Sequence, residues 1–215
     1  MSEFHGILFD LDGVLIDSMS AHAEAWVTAC ARCGIEISED EIYRREGEKL
    51  ERSARDFLKI AGIMSTKARI REMIRIKEEI YAGKGIPKLF PGAIEVVGAF
   101  RDADLKTAIV TGSTRGEVER VLPPELMELA DVIVCGDEVM RGKPHPEPYL
   151  AAMMKLSIKP QESIAVENAP FGIESAKTAG AHVIAVRSYL GDDDLRDAHE
   201  LVNDIRQIPP LVLGT

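Results

Sequence analysis

Aromatic side chains are scarce in this chain: one tryptophan, four tyrosines and six phenylalanines make up 5% of its 215 residues. With 46% of residues hydrophobic, the core has to be mostly aliphatic. Cysteine is equally sparse. Cys30, Cys33 and Cys135 form an odd count with no repeating pattern. The C-x-x-C of "CARC" would suit redox or zinc chemistry, but no second Cys/His pair stands near it, and it reads more simply as two small residues on a helix face. No apolar run approaches membrane-spanning length, and no N-terminal apolar stretch precedes a cleavage site, so the expectation is a soluble cytoplasmic protein without a membrane partner. Positive charge is also short: 26 Lys and Arg against 36 Asp and Glu give a net charge of −10. That argues against nucleic acid as a partner, since binding it needs clustered Lys and Arg. An anionic substrate would need a local positive centre, either a metal ion or a few basic side chains.

What the chain does have is rhythm. Its length allows one domain, or one with an insertion. Ile7–Phe9, Leu105–Thr111, Asp131–Gly136, Ser163–Asn168 and Ala181–Val186 are short apolar runs without alternation, as expected of strands buried on both faces of a parallel sheet. Helical patterns lie between them, at Gly92–Ala103, Arg115–Leu122, Pro146–Leu156 and Phe171–Gly180. Strands alternating with helices predict an α/β, Rossmann-like open parallel sheet.

Residues 18–88 break that rhythm and show no good strand. Ser20–Gly34 reads as a helix ending at a C′ glycine. Ser38 and Glu41 are spaced as a capping box before another helix. Glu48–Gly62 and Thr66–Gly83 follow, the second with Ile70, Met73/Ile74, Ile76/Lys77 and Ile80 at a 3.6-residue period and its other charges on a solvated face. A helical module is therefore expected between the first strand and "GKGIPKLFPG", which returns the chain to the α/β body. The division expected is a body of residues 1–16 and 89–215 and an insertion of 17–88.

Asp10 and Asp12 end the first apolar run, in "ILFDLDGVLIDS". Ligand sites in open α/β sheets lie outside the carboxyl ends of the strands. Two carboxylates on alternate residues point the same way, and leaving both ionised is costly unless a cation intervenes or one takes a proton. Other strand ends carry complementary groups: Thr111, Gly112 and Ser113 offer a hydroxyl and backbone N–H groups for phosphate oxygens, Lys143 in "RGKPHP" a point charge, and Glu167 and Asn168 oxygen donors for magnesium. Singly, each has a plainer reading as a turn, a cap or a surface lysine. "GDEVMRGKP" is not a Walker loop, because five residues separate its glycines and Pro144 stands where Ser or Thr is needed.

Taken together, "DLDGVL", "VTGS", "GKP" and "VENAPFGI" resemble, in order, the four motifs of the haloacid dehalogenase superfamily, over nearly the whole chain. The helical module sits where that family places a cap domain, and "LFPGAIEVV" resembles the family's re-entry into the core. The resemblance implies a magnesium-dependent phosphatase. Asp10 would attack phosphorus to give an aspartyl-phosphate, and Asp12 would act as general acid, then base. Thr111 and Lys143 would hold the phosphoryl group, and the cation would sit among Asp10, the Asp12 carbonyl, Asn168 and Glu167. Asp12 argues against a true dehalogenase, whose halide leaving group needs no acid. Asn168 departs from many relatives, where a second acid stands, and this puts metal affinity in question.

The nearest-looking branches are the phosphoglycolate phosphatases and the β-phosphoglucomutases. Ser18, His22 and Trp26 resemble the mutase branch, where a histidine lies near the site's mouth. Against a mutase, Thr114 stands where that branch tends to have lysine, and "GEKLERS" lacks the expected arginine, so that Lys49 or Arg52 would have to substitute. The expectation is a phosphatase of a small phosphorylated metabolite, monomeric or else dimeric. A sugar-phosphate mutase is the runner-up, and a non-catalytic phosphate-binding relative comes third.

Overall fold

The computed structural model describes residues 4–214. β1 (Gly6–Phe9) leads through a tight turn to β2 (Ile16–Asp17) and then into four helices: α1 (Met19–Arg32), α2 (Glu39–Arg44), α3 (Leu50–Ile60) and α4 (Lys67–Ala82). β3 (Lys88–Leu89) brings the chain back. The body continues with α5 (Ala93–Asp102), β4 (Lys106–Val110), α6 (Arg115–Val121), α7 (Pro124–Leu129), β5 (Val132–Val134), α8 (Glu147–Leu156), β6 (Ser163–Glu167) and α9 (Pro170–Ala179). It ends with β7 (His182–Val186), α10 (Asp192–Leu195), β8 (Glu200–Val202) and α11 (Ile208–Leu213).

Six strands form one parallel sheet in the order β5-β4-β1-β6-β7-β8. Both faces are apolar, which is why the strands show no alternation. Ile7, Phe9, Ile109 and Val166 pack with α5, α6 and α7 on one side. Leu8, Ala108, Val110 and Ala165 pack with α8 and α9 on the other. The chain steps from β1 to β4 and β5 on one side, then to β6, β7 and β8 on the other. The direction of winding therefore reverses between β1 and β6, where open sheets form a crevice at their carboxyl edge.

The helical insertion has a core of its own, in which Trp26 meets Phe57 edge to face at 5.3 Å and Cys30, Ile42, Phe57, Ile70 and Met73 are buried. Cys30 and Cys33 are free thiols in this packing, and burial pushes Cys30 up to about 12, so the C-x-x-C serves as helix-face filler. α1 closes at Gly34 (φ +75°), the expected C′ glycine. Ser38 accepts from the Glu41 N–H at 3.3 Å, which is half of the expected capping box. The two passages of chain between insertion and body lie side by side, with Ile16 opposite Leu89 and Asp17 opposite Lys88 in an antiparallel pair. That pair was not visible in the sequence, because two residues carry no periodicity. β8, α7, α10 and α11 were missed for the same reason of length. No helix among the described residues is long and apolar enough to cross a membrane.

Candidate active site

Asp10 lies where β1 stops. Its N–H donates to the Val166 carbonyl at 2.9 Å, which ties it to the neighbouring strand β6 at the crevice. Its side chain is fully buried. Lys143 donates to one Asp10 oxygen and lies 2.8 Å from Glu167 at the end of β6, so a single ammonium bridges the ends of two adjacent strands. Lys143 is only 1% exposed, which rules out a surface lysine. Burial pushes the Asp10 carboxyl upward and Glu167 and Asp12 add to this, while Lys143 opposes them. Tyr149 on α8 donates to Glu167 and holds it in place.

Asp12 faces a different set of partners. Ser18 donates to it at 2.6 Å, Ser113 at 3.0 Å and Thr111 at 3.2 Å, and His22 stands 3.4 Å away. Burial alone would raise this carboxyl, but the neighbouring His22 and the hydrogen bonds from Ser18 and Ser113 outweigh it and hold Asp12 below the ordinary carboxylate range. His22 stacks on Tyr81 of α4 at 3.9 Å. Burial and the nearby Lys77 lower the imidazole pKa below its usual value, against the pull of Asp12. Gly13 makes the intervening turn at φ +92°, and a Cβ there would stand 2.0 Å from the Asn168 amide nitrogen.

The strand-end residues are not caps. Thr114, not Thr111 or Ser113, caps α6 in a full capping box. Asn168 caps nothing: the residue before α9 is Ala169, and the Asn168 side chain is buried beside Gly13. Three buried oxygens near the crevice have no hydrogen-bond partner: Asp10 Oδ2, Asn168 Oδ1 and Glu46 Oε2. Oxygens from Asp10, Glu46 and Glu167 lie within 4.8 Å of one another. A set of hard oxygen donors with unmet capacity fits a divalent cation such as magnesium.

Next to these groups is a cavity of about 250 Å³ between insertion and body, lined by Asp12, His22, Trp26, Lys77, Gly112 and Ser113 among others. Of the two candidates to replace the missing arginine, Lys49 lines the cavity but donates its ammonium to the Val139 carbonyl at 2.6 Å. The structure does not bring Arg52 to the cavity; its side chain is half exposed and pairs with Glu48 at 2.9 Å.

Three residues at the site were not anticipated. Tyr149 sits inside a helical pattern with no local mark. Lys77 was assigned to the apolar stripe of α4; it is indeed buried, but it lines the cavity and has no ion-pair partner within 4 Å among the described residues. Burial pushes its ammonium below the usual lysine range, against Glu117 and Asp12. Glu46 follows α2 and reads in sequence as one more charge in a charged stretch.

Known proteins resemble this chain in sequence and fold. The pattern of the haloacid dehalogenase-like hydrolase family matches residues 7–186. Hexitol phosphatase A of Escherichia coli K12 is 32% identical over 203 residues, covering 94% of this chain and 92% of its own. A phosphorylated carbohydrates phosphatase of Thermotoga maritima is 31% identical over 180 residues, 81% of each chain. Among solved structures, CbbY from Rhodobacter sphaeroides in complex with phosphate superposes with a TM-score of 0.77 at 25% identity, covering 95% of this chain and 96% of that one. With its sheet, its strand-end residues and a family match over most of its length, this chain belongs to the haloacid dehalogenase-like hydrolases.

Proposed function

We propose that this protein is a magnesium-dependent phosphatase of small phosphorylated carbohydrates, working through an aspartyl-phosphate on Asp10, with residues 17–88 acting as a cap. The observation that carries this reading is Asp10 itself: a buried carboxylate at the switch point with one oxygen on Lys143 and the other free. The names of the relatives support the substrate class.

Asp10, Glu167 and Asn168 would hold the cation, joined by the Asp12 backbone carbonyl. The cation would supply charge neutralisation at the phosphate oxygens. Asp10 attacks phosphorus and the P–O bond to the sugar breaks, leaving the phosphoryl group on Asp10. Lys143 stays beside Asp10, where it balances charge on the group being transferred. Gly112 and Ser113 line the cavity, and the Thr111 hydroxyl donates to Asp12 beside them. Asp12, with its low pKa, is prepared for the second half-reaction, in which it takes a proton from the attacking water. In the first half-reaction, a protonated Asp12 gives its proton to the departing sugar oxygen, and in the second it takes one back from the water that displaces Asp10 from phosphorus. His22 and Lys77 lie on the side of Asp12 that faces the cavity.

A mutase would also have to seat a second phosphate against the insertion, and the lining is poorly suited to it. Glu46, Glu48, Glu51, Glu78, Glu117 and Asp137 join Asp12 there, against Arg45, Lys49 and Lys77. Arg45 already pairs with Glu41, Glu48 and Asp56, and Lys49 is bound to a carbonyl. The test is a screen with magnesium over sugar and sugar-alcohol phosphates, phosphoglycolate and nucleotides, expecting free phosphate from the first group. If β-glucose 1-phosphate is isomerised when glucose 1,6-bisphosphate is added, and phosphate release is negligible, the protein is a mutase. If neither reaction occurs and phosphate still binds, it is a non-catalytic relative.

A further inference from the structure

We propose that Glu46 is a cation ligand carried by the helical insertion, so that binding of the divalent cation ties the insertion to the body. This rests on the reading of a cation at Asp10. Glu46 is 6% exposed, and its Oε2 has no partner. One of its oxygens lies within 4.8 Å of oxygens on both Asp10 and Glu167. It forms no ion pair among the described residues. The adjacent Arg45 is turned away, to Glu41, Glu48 and Asp56 at 3.0–3.3 Å. Lys143 is taken by Asp10 and Glu167. A carboxylate buried in this way is strongly unfavourable without a counter-charge.

The backbone holds it there. Gly47 follows at φ +74°, and a Cβ on it would stand 2.3 Å from Lys143 Cδ. A Cβ on Gly112 would meet the Gly47 Cα at 2.8 Å. The loop after α2 is thus seated directly on two body loops, and Glu46 is delivered into the crevice by that seating. On the body, the Asp10 and Glu167 carboxylates already share Lys143 and Asn168 is a neutral amide, so a carboxylate from the insertion adds negative charge at the cation.

The test is calorimetric titration of the whole protein with Mn²⁺, without substrate, for wild type, Glu46→Gln, Glu46→Ala and Asp10→Asn. It is paired with hydrogen exchange over residues 45–49. Both Glu46 variants should bind Mn²⁺ about tenfold or more weakly, as loss of even an outer partner weakens metal binding about 10–100-fold. Mn²⁺ should slow exchange in the 45–49 loop of the wild type and not in the variants. Metal-free, Glu46→Gln should melt at or near the wild-type temperature, because a buried carboxyl without a partner gives way to an amide of the same size; a clearly lower melting temperature in that variant would show that Glu46 already has a partner and would overturn the proposal. Unchanged Mn²⁺ affinity in the Glu46 variants, with affinity lost in Asp10→Asn, overturns the proposal and leaves the cation reading standing. So does unchanged Mn²⁺ affinity with tighter inorganic phosphate binding, which would make Glu46 a stand-in for phosphate. If the wild type binds no Mn²⁺, the cation reading falls and the proposal with it.

Discussion

The α/β body and the helical insertion are built on different plans. In the body, a central strand with both faces buried ends in a functional group: Asp10 after β1, Thr111 after β4, Glu167 at the end of β6. Chemistry there is fixed to backbone that cannot move without breaking the sheet. In the insertion, helices pack around their own core, and side chains reach the site from the loop seated on the body, as Glu46 does, and from α1 and α4, as His22 and Lys77 do. On the proposed reading, the body would supply groups for the reaction itself, and the insertion groups whose effect depends on docking.

Asp10→Asn gives the largest effect expected from this contrast. Turnover should fall by more than about 10³-fold, as removal of a nucleophile does elsewhere, with an unchanged circular dichroism spectrum. Activity within tenfold of wild type would remove Asp10 from its role.

Phe57→Ala strikes the core of the insertion instead. A cavity of that kind costs about 3–5 kcal/mol. Denaturant unfolding followed by Trp26 fluorescence should show the loss, while exchange in β1 and β6 stays protected. Equal loss of protection in those strands would mean that the two regions unfold as one.

Gly47→Ala tests docking alone. A left-handed φ costs a residue with a Cβ about 1–2 kcal/mol, and the Lys143 contact adds to it. We expect kcat/KM to drop about tenfold with little change in melting temperature, since tenfold in rate corresponds to about 1.4 kcal/mol. A large stability loss with unchanged kinetics would contradict the seating of this loop as a requirement for catalysis.

Asn168→Asp should shift the magnesium concentration for half-maximal activity downward by a few-fold, because it adds charge beside the cation. Identical magnesium titrations for the two proteins would take Asn168 out of the site. Arg52→Ala should matter least: the guanidinium is half exposed and outside the cavity, and its buried partner Glu48 keeps Arg45 and Ser53. A tenfold rise in KM for a sugar phosphate would return Arg52 to substrate binding.

The amino-acid sequence determined the body almost by itself. Runs such as "GILF", "KTAIV" and "SIAVE" are apolar on both faces, so they form a parallel sheet, and whatever ends them stands at its carboxyl edge. Asp10, Asp12, Thr111, Glu167 and Asn168 were legible on that rule, and Lys143 through its "GKP" motif. The helices of the insertion were legible through their caps and 3.6-residue period. Tertiary structure alone decided which of the insertion's many charges face the site. Glu46 and Lys77 are ordinary charged loop and helical residues by pattern, while Arg52, a candidate beside Lys49 in the sequence, lies outside the cavity. Tyr149 found Glu167 only when α8 packed on the sheet. The difference is one of range: a strand's burial and a helix's period are set by neighbours in sequence. Which face of an insertion is pressed onto a crevice depends on contacts between residues far apart in the chain.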